Sequence, residues 1–311
     1  MPNYIKIIDE NLAQKIWDNS NESNIYNNPS FLINSKKIIY YGCFLENQIV
    51  SVWPIKEQDN IGVIPWNYYY FGPYFTNSIN LKPLHSKINK ILLIYELFML
   101  HFKSIYKEIN FNLHWINQDI RYFYWLSEKF TFLKIIYNIK YTALIKGYSE
   151  KKSWRNLRIR QLKKIKKINN LFYIKNCNEQ ISNSEYMKII KENIPIDYYK
   201  NNKFSYEELI SICQRAGHCF NIFQKNNNKL IGFACILEDK ISHHLVFNFV
   251  KNEWKKKGLM VYLFDYLFDN CFKKGIEYFD FNGANSFKGA DEKSTYGSYQ
   301  NLYINMKIKF S

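Results

Sequence analysis

The sequence predicts an α/β protein made of two similar halves. The chain has 311 residues, and since a domain commonly takes ~150 residues, this length favours about two domains. The spacing of apolar residues then predicts one plan twice: a helix, antiparallel strands, and a helix between two further strands. With 47% hydrophobic residues and only 11 Gly and 7 Pro, the composition excludes a disordered or collagen-like chain.

In the first half, the apolar pattern predicts a short helix, three strands joined by polar turns, a long helix and two more strands. The predicted ranges are a helix at Asn11–Trp17, strands at Ile38–Leu45, Ile49–Ile55 and Ile61–Tyr70, a helix at Ile88–Lys107, and strands at Ile109–Trp115 and Tyr141–Ile145.

A strongly basic helical segment at 149–170 separates the halves. We therefore place one domain at 1–148 and the other at 149–311, the second beginning with a basic helix at 153–169. The elements predicted after it are helices at Ser184–Glu192 and Tyr206–Ala216, strands at Cys219–Lys225, Lys229–Glu238 and Ser242–Val250, a helix at Gly258–Lys274, and strands at Tyr278–Asn282 and Leu302–Lys309.

The chain is strongly basic, with a formal net charge of +16. This charge makes a polyanion, a phosphate-bearing substrate or an anionic membrane surface plausible as a partner. A general excess of Lys, Asn, Ile and Tyr is also the usual bias of an AT-rich genome, so only clustered cations indicate a binding site. The sequence leaves the oligomeric state open.

Several classes of protein are disfavoured. The six cysteines form no CxxC pair and no Cys/His group at zinc spacing, so we expect no metal site and a reduced, cytoplasmic protein. Residues 1–10 mix charged and apolar side chains, unlike a signal or transit peptide. The most apolar segment, 91–102, is shorter than the ~20 residues that span a bilayer. Peripheral membrane contact stays possible.

The turn before the helix at Gly258 is the first candidate site. It carries Lys255, Lys256 and Lys257 between a strand and a helix. Free backbone N–H groups and the positive end of the helix dipole both favour a phosphate there. The same lysines could equally form a solvated turn.

The strand Tyr278–Asn282 and the polar segment after it form a second candidate. Alternation places Asp280 and Asn282 on the opposite face from two phenylalanines. A buried Asp280 needs a hydrogen-bond partner, so it is either a structural acceptor, which we favour, or a site residue. Residues 285–297 are polar and predict a flexible loop of the kind that closes over a site.

The basic helix is the third candidate. If successive residues are placed 100° apart around the helix axis, its apolar side chains fall within about 140° of arc. Arg158 falls inside that arc, and Arg155 lies at its edge. Arg160, Lys163 and Lys167 face the other side and are expected to be solvated. Arg158 therefore needs an anion, either a protein carboxylate or a substrate phosphate.

Two further groups could carry chemistry. His114, Asp119 and Arg121 follow a strand, but with no nucleophile motif beside them a structural pair of Asp119 with Arg121 is favoured. His243 and His244 point to opposite faces of one strand, so at most one can face a cleft, and a core or edge histidine is the default.

Several motifs in order resemble the GNAT acyltransferase superfamily, and in particular its doubled branch, which includes the Fem-type aminoacyl transferases. They are the basic helix Arg155–Lys164, the strand–loop–helix through Gly258, Tyr278–Gly283, Lys293-Ser294-Thr295-Tyr296-Gly297, and in the first half Asn28–Leu32, Tyr70–Pro73 and Asp119–Trp125 leading to Tyr141. The resemblance covers nearly the whole chain and implies two tandem GNAT-like domains, each a mixed, mostly antiparallel sheet flanked by helices.

The resemblance also implies roles for residues. Acyl-CoA, a cosubstrate and not a permanently bound cofactor, would lie on Lys255, Lys257, Gly258 and Leu259, although Lys255 and Met260 stand where the family has Gln/Arg and Gly/Ala. Members of the branch that use aminoacyl-tRNA provide an alternative donor.

By the same resemblance, Lys293 would stabilise negative charge on the acyl carbonyl. The base is left open among Asp280, His244 and Asp119. The residues expected to contact the substrate are Arg155, Arg158, Asn282, Gly283, Tyr296, Trp66 and Tyr70, the two arginines holding phosphates of a phosphorylated or nucleotide-linked acceptor. For Trp66 and Tyr70 a core role is equally expected.

These observations lead to three functional hypotheses. The first is an N-acyltransferase that moves an acyl group from acyl-CoA to an amine of a cell-envelope sugar or peptide precursor. The second is a tRNA-dependent aminoacyl transferase, and the third is a non-catalytic module that binds a polyanion or a membrane surface.

Overall fold

The structure is a computed structural model that describes residues 2–32, 38–147, 158–176 and 181–311. The chain forms two compact units, one of Met1–Tyr141 with Leu302–Ser311 and the other of Thr142–Asn301. The α/β class and the doubled plan predicted above are confirmed, since each unit contains a mixed sheet flanked by helices.

The first unit is a sheet with helices against it. Its elements are β1 Tyr4–Ile8, α1 Glu10–Asp18, α2 Pro29–Leu32, β2 Ile38–Leu45, β3 Gln48–Gln58, β4 Ile61–Val63, β5 Tyr74–Phe75, α3 Asn77–Asn80, α4 Leu84–Phe102, β6 Glu108–Leu113, α5 Arg121–Lys129 and the first part of β7 Leu133–Lys146. Strands β1 to β3 are antiparallel neighbours, and β4 pairs in parallel with β6 after the crossover through α4.

The core of the first unit is built around Trp53. Its ring lies 4.8 to 5.3 Å from the rings of Phe98, Phe102 and Phe111, all edge to face, which brings together β3, α4 and β6. These rings are fully buried, and aromatic pairs in this arrangement are favourable beyond the area that they bury.

The second unit repeats the plan. Its elements are α6 Ile159–Lys166, β8 Phe172–Asn176, α7 Asn183–Asn193, α8 Ile196–Ala216, β9 His218–Gln224, β10 Leu230–Glu238, β11 Ser242–Val250, α9 Asn252–Lys255, α10 Leu259–Lys273, β12 Tyr278–Asp280, α11 Phe287–Ser294 and β13 Tyr299–Phe310, whose last residues belong to the first unit. Strands β8 to β11 are antiparallel neighbours, and β11 pairs in parallel with β12 after the crossover through α10.

Helix α10 packs its apolar face on this sheet, as its sequence pattern predicts. Leu263, Leu267, Phe268 and Cys271 are almost completely buried in one cluster with strand residues such as Phe279. The helix begins after Gly258, whose φ of 89° lies in the left-handed region that glycine adopts without strain.

Some predicted elements differ from the structure. The strand predicted at 61–70 ends at Val63, because the chain turns there with Asn67 at a positive φ. The loop predicted at 285–297 contains α11, whose first turn is capped by the Ser286 hydroxyl accepting from the N–H of Gly289. Helix α5 was not predicted, and α8 begins ten residues before its predicted start.

The division between units also differs from the predicted one. Contacts divide the chain after Tyr141, and the residues from Leu302 onwards return to the first unit. The predicted boundary at 148/149 and the first part of the basic helix lie outside the described residues. Strand β13 pairs antiparallel with β6, a partner nearly two hundred residues away that local sequence patterns do not specify.

Within the described ranges, none of the helices combines the length and the apolar character needed to cross a bilayer.

We expect Met306→Ala to destabilise the first unit by about 2–5 kcal/mol, because this fully buried side chain of β13 belongs to the same apolar cluster as Trp53. Hydrogen exchange should then show lost protection in β6 while β9 and β10 keep theirs. Lys309→Ala, at a half-exposed position of the same strand, is the control. Loss of protection in β9 and β10 instead would show that β13 stabilises the second unit.

Candidate anion-binding pocket in the second unit

The second unit contains a pocket of about 860 Å³ where strands β11 and β12 separate. Their parallel pairing covers only Ser242 to His244 against Tyr278 to Asp280. A β-bulge at the same level adds one residue to β11, since Ile236 lies opposite Leu245 and Cys235 opposite Phe247. Bulges bend a strand locally. Beyond this point Leu245, Asn248 and Phe249 line one wall of the pocket, and Phe281 lines the other.

The N-terminus of α10 closes one end of the pocket. The carbonyl of Gly258 accepts the N–H groups of Val261 and Tyr262, whereas the N–H groups of Leu259 and Met260 have no acceptor among the described residues. No side chain of the described residues caps this helix. Unpaired N–H groups at a helix start, together with the helix dipole, favour an anion at this end.

The pocket lining is strongly cationic. Seven cationic side chains line it against the two carboxylates Asp291 and Glu292. The cationic residues are Arg158, Lys164, Lys255, Lys256, Lys257, Lys288 and Lys293. Such a concentration of positive charge repels itself unless an anion is present, so this pocket is suited to a ligand with several negative charges.

The predicted phosphate cradle is therefore part of the pocket. Lys255, Lys257 and Gly258, which the resemblance implied as cofactor-binding residues, all line it. The Lys257 ammonium also lies 4.1 Å from the centre of the buried Trp254 ring, a cation–π contact that positions this lysine. Leu259 differs, because its side chain is fully buried in the core and it offers the pocket only its N–H.

Arg158 faces the pocket from the N-cap of α6. Its guanidinium donates to the side chains of Gln161 and Thr295 and lies 5.0 Å from the centre of the Tyr296 ring. The Nε atom is buried and has no hydrogen-bond partner among the described residues. No carboxylate from the described ranges pairs with Arg158, so of the two anions that the sequence left open, a ligand phosphate fits this geometry better.

The rest of α6 follows the predicted arc. Leu162 and Ile165 are buried, and Arg160, Lys163 and Lys167 are exposed. Arg155, which was predicted to bind the acceptor together with Arg158, lies outside the described residues.

Lys293 lies at the edge of the pocket and is mostly engaged by backbone. Its ammonium donates to the carbonyls of Phe281, at 3.1 Å, and of Asn282 and Gly283. An ammonium has three hydrogens, so these bonds use all of them. Burial lowers the pKa of Lys293 to about 8, although Asp280 and Glu292 act against this shift. To serve as the expected carbonyl donor, Lys293 would have to exchange one of these bonds for the substrate.

Asp280 and His244 are brought together, but below the pocket and not on its lining. Both are fully buried, with His244 Nδ1 3.4 Å from Asp280 Oδ2 and Nε2 2.7 Å from Asp239 Oδ2. Asp280 also accepts the Thr142 hydroxyl, at 2.5 Å, and the N–H of Asn282, at 2.8 Å. This is the structural acceptor that the sequence analysis favoured for Asp280.

The charge of this group follows from its partners. Burial by itself lowers the pKa of His244, but the carboxylates of Asp239 and Asp280 outweigh it and raise this pKa to about 10. His244 is therefore an imidazolium at neutral pH. A base must reach the proton that it removes, and neither His244 nor Asp280 reaches the pocket in this arrangement.

Three further predicted substrate-binding residues lie near the point where β11 and β12 separate: Tyr296, Asn282 and Gly283. Tyr296 lines the pocket, and burial raises its pKa. Asn282 is buried at a positive φ, and its side-chain amide donates to the Leu245 carbonyl at 2.9 Å, bridging the two strands after their backbone pairing ends. Gly283 contributes a carbonyl to Lys293. Of these three predicted substrate contacts, only the Tyr296 side chain reaches the pocket.

The remaining predicted residues lie in the first unit. Arg121 donates to Asp119 at 2.9 and 2.7 Å and lowers the pKa of this carboxyl, which is the structural pair that the sequence favoured. Tyr70 is fully buried, with its ring 4.5 Å from His114 and 5.4 Å from Tyr303. Trp66 is half-buried. The Tyr70 geometry is that of a core residue.

Sequence reasoning missed several residues of the site. Lys164 lies between predicted solvated lysines, and Lys288 lies in the segment predicted as a loop. Asp239, which fixes His244, follows a predicted strand, and no local pattern links it to a histidine five residues later. For Asp239 the available signal was its position in a tight turn, where it accepts the N–H of Ser242 at 2.8 Å.

In the residues that the structure describes, no group of three or more His, Cys, Asp or Glu side chains could hold a metal ion. The pocket can instead bind a polyanion at the start of α10 and place an uncharged part of the ligand against apolar side chains. These apolar residues are Leu245, Phe249, Met260, Val261, Phe264 and Phe281.

Comparison with solved structures shows a fold shared with known proteins. FemX aligns over 98% of this chain and 97% of its own, with a TM-score of 0.62 and 10% identity. L-PGS from Bacillus licheniformis aligns over 98% of this chain and 93% of its own, with a TM-score of 0.58 and 10% identity. A tandem GNAT protein from the clavulanic acid biosynthesis pathway covers 98% of each chain, with a TM-score of 0.53 and 6% identity. No family model and no curated protein matches the sequence.

These alignments extend over nearly the whole of each chain, so the likeness concerns the doubled fold and not one unit alone. The resemblance to the doubled GNAT branch that the sequence motifs indicated is confirmed at the level of the fold.

We expect Arg158→Met to weaken the binding of inorganic pyrophosphate by about tenfold to a hundredfold, because it removes charge-assisted hydrogen bonds to an anion. Isothermal titration calorimetry measures this change. Arg160→Met is the matched control. Arg160 lies two residues after Arg158, is exposed and does not line the pocket. Equal losses in both variants would show that net charge alone accounts for binding.

The imidazolium of His244 predicts a pH dependence of stability. Its pKa is about 10 in the folded chain against an ordinary value of 6.5, so its stabilising effect is complete below about pH 6.5 and is lost as the pH rises through 10. The NMR signal of its ring should keep the imidazolium shift at pH 8, as judged against the shift of the same ring at pH 5. A neutral His244 ring at pH 8 would contradict the assignment.

Proposed function

We propose that the second unit is an N-acyltransferase that moves an acyl group from acyl-CoA to an amine of a cell-envelope sugar or peptide precursor. The observation that carries this proposal is the cationic pocket at the start of α10, between strands that separate after three paired residues. The fold likeness to a tandem GNAT protein and to FemX supports acyl or aminoacyl transfer as the reaction class.

The donor fits the chemistry of the pocket. CoA carries several phosphate charges at one end and a neutral, extended arm at the other. The N–H groups of Leu259 and Met260 and the lysines 255–257 would hold the phosphates. The arm would then run along Leu245 and Phe281, the walls formed by the two separating strands.

The reaction forms one bond and breaks another. The nitrogen of the acceptor amine attacks the thioester carbonyl, the C–N bond forms and the C–S bond breaks. The amine proton leaves the nitrogen, and the departing thiolate of CoA takes up a proton. The two carboxylates that line the pocket, Asp291 and Glu292, are better placed to receive the amine proton than the buried Asp280 and His244.

Arg158 would hold a phosphate of the acceptor. It enters the pocket from α6, whereas the proposed donor phosphates lie at the start of α10. The Tyr296 ring beneath the guanidinium and the Thr295 hydroxyl hold its plane in one orientation. A planar fork held in this way suits paired phosphate oxygens.

One observation favours aminoacyl-tRNA as the donor. Met260 lies at the helix start, where the doubled GNAT branch is expected to have Gly or Ala, and its sulfur is 2.9 Å from the Asn248 amide. This side chain takes up space beside the two free N–H groups. The exposed Arg160, Lys163 and Lys167 extend the cationic surface beyond the pocket, as a long polyanion requires.

A thermal-shift titration with acetyl-CoA, free CoA and bulk tRNA at two salt concentrations tests the donor. At a hundredfold excess over the dissociation constant we expect CoA species to stabilise the protein by about 2.7 kcal/mol. Lys257→Ala should reduce this stabilisation, whereas Lys273→Ala, at the far end of α10, should not.

The alternatives give different results in the same titration. Stabilisation by tRNA that weakens with salt, without a CoA response, would select the aminoacyl donor. Polyanion binding without turnover of either donor would contradict both enzyme proposals.

A further inference from the structure

A methionine and an asparagine touch where the start of α10 faces strand β11. Met260 is the second residue of α10, and its sulfur accepts a hydrogen bond from the Asn248 amide at 2.9 Å. Both residues are half-buried, and both line the pocket. Side chains on a helix point back toward its N-terminus. The Met260 side chain therefore lies beside the two free N–H groups at the helix start and extends from there to the strand.

The position of Asn248 along β11 places this contact between the two parts of the pocket. His244 is the last residue of β11 that pairs with β12, Leu245 follows it and lines the wall, and Asn248 comes three residues later. At about 3.3 Å per residue, Asn248 is ~10 Å further along the strand than Leu245. A ligand that reaches from the free N–H groups of α10 to Leu245 must therefore pass the contact of Met260 with Asn248.

The contact is of a kind that a ligand can replace. A thioether sulfur is a weak hydrogen-bond acceptor, whereas a carbonyl or hydroxyl oxygen is a strong one. An unbranched methionine side chain also adapts its conformation without movement of the backbone. An oxygen atom of a ligand can therefore take the place of the Met260 sulfur as the acceptor for Asn248.

The groups suited to an anion lie before this contact. The free N–H groups belong to Leu259 and Met260, and the exposed lysines 255–257 precede them in the chain. An anion as small as pyrophosphate can bind these groups without reaching Leu245 or Phe281. Only a ligand with a longer, neutral part has to pass between the helix and the strand.

We propose that Met260 and Asn248 form a gate that selects the ligands of the pocket. With the gate closed, as in this structure, a small anion binds at the start of α10. A ligand with an anionic end and an extended neutral arm displaces the Met260 side chain, and its arm accepts the hydrogen bond of the Asn248 amide. The identification of that ligand as CoA rests on the proposed function, whereas the gate rests on the contact itself.

A purely structural role for Met260 makes a different prediction. Its side chain also packs against the apolar cluster of the second unit. If Met260 only filled that space, shortening it would lower the stability of the unit and leave the preference between a small anion and a long ligand unchanged. The ratio of the affinities for CoA and for pyrophosphate therefore distinguishes a gate from packing.

Isothermal titration calorimetry of the full chain with CoA and with inorganic pyrophosphate measures this ratio. Met260→Ala should raise the affinity for CoA relative to that for pyrophosphate by about tenfold, because a half-buried methionine side chain no longer has to be moved into water. Met260→Leu keeps the bulk of the side chain and should leave the ratio close to the native one. Met187→Ala is the control, since Met187 is a buried methionine of α7 that does not line the pocket.

A further variant tests Asn248. Asn248→Ala in the Met260→Ala chain removes the amide after the gate has already been opened. We expect the affinity for CoA to fall by about threefold to tenfold, as for the loss of one neutral hydrogen bond, and the affinity for pyrophosphate to stay the same. Equal losses for both ligands would overturn the contact of Asn248 with the arm.

The outcomes for Met260 keep the gate and the proposed function apart. If CoA binds the native chain and Met260→Ala with the same ratio to pyrophosphate, the gate is overturned and the proposed function stands. If CoA binds Met260→Ala alone, the gate is supported and CoA is not the donor of the native chain. If CoA binds neither chain, both proposals are overturned.

Discussion

The pocket depends on a buried ion group that joins two strands at the place where they stop pairing. His244 is the last residue of β11 that pairs with β12, and Asp280 is its partner in the register. The imidazolium contacts Asp280 on one side and Asp239, in the turn between β10 and β11, on the other. Removing one member of such a buried group leaves an uncompensated charge, which is strongly destabilising. The point at which the two strands separate is thus fixed by this charge contact as well as by the end of the backbone pairing.

This geometry explains why the polar residues of β12 are not catalytic groups in reach of the pocket. The carboxylate oxygens of Asp280 accept hydrogen bonds from Thr142 and Asn282 and contact His244. The side chain of Asn282 continues the contact between the strands. Lys293 donates to the carbonyls of the three residues after Asp280. The network therefore fixes the floor and one wall of the pocket, and side chains on α6, α10 and α11 also line the space.

The sequence predicted those features that depend on local spacing. The apolar face of α10 and the inward position of Arg158 both follow from a period of 3.6 residues, and both are found. Lys255 and Lys257 could be named from the sequence, because a basic turn before a helix is a local feature. The pairing of β13 with β6 and the contact of His244 with Asp280 were not predicted, because long-range pairing leaves no trace in a short window. The contact of His244 with Asp239 is local, but no sequence pattern marks it. Helix α11 was taken for a loop because five of its eight residues are polar and none is fully buried, so no apolar period marks it.

The charge of Lys293 and the binding of an anion in the pocket are coupled. Its pKa lies near 8, below its ordinary value of 10.5, because burial disfavours the ammonium more than the carboxylates of Asp280 and Glu292 favour it. Six other cationic side chains line the same space, and like charges repel one another there. An anion bound at the start of α10 would offset that repulsion and raise the pKa of Lys293, so binding favours the charged form. By linkage the charged form favours binding equally. The protonated Lys293 that would assist a developing negative charge is thus the form that an anionic donor itself stabilises.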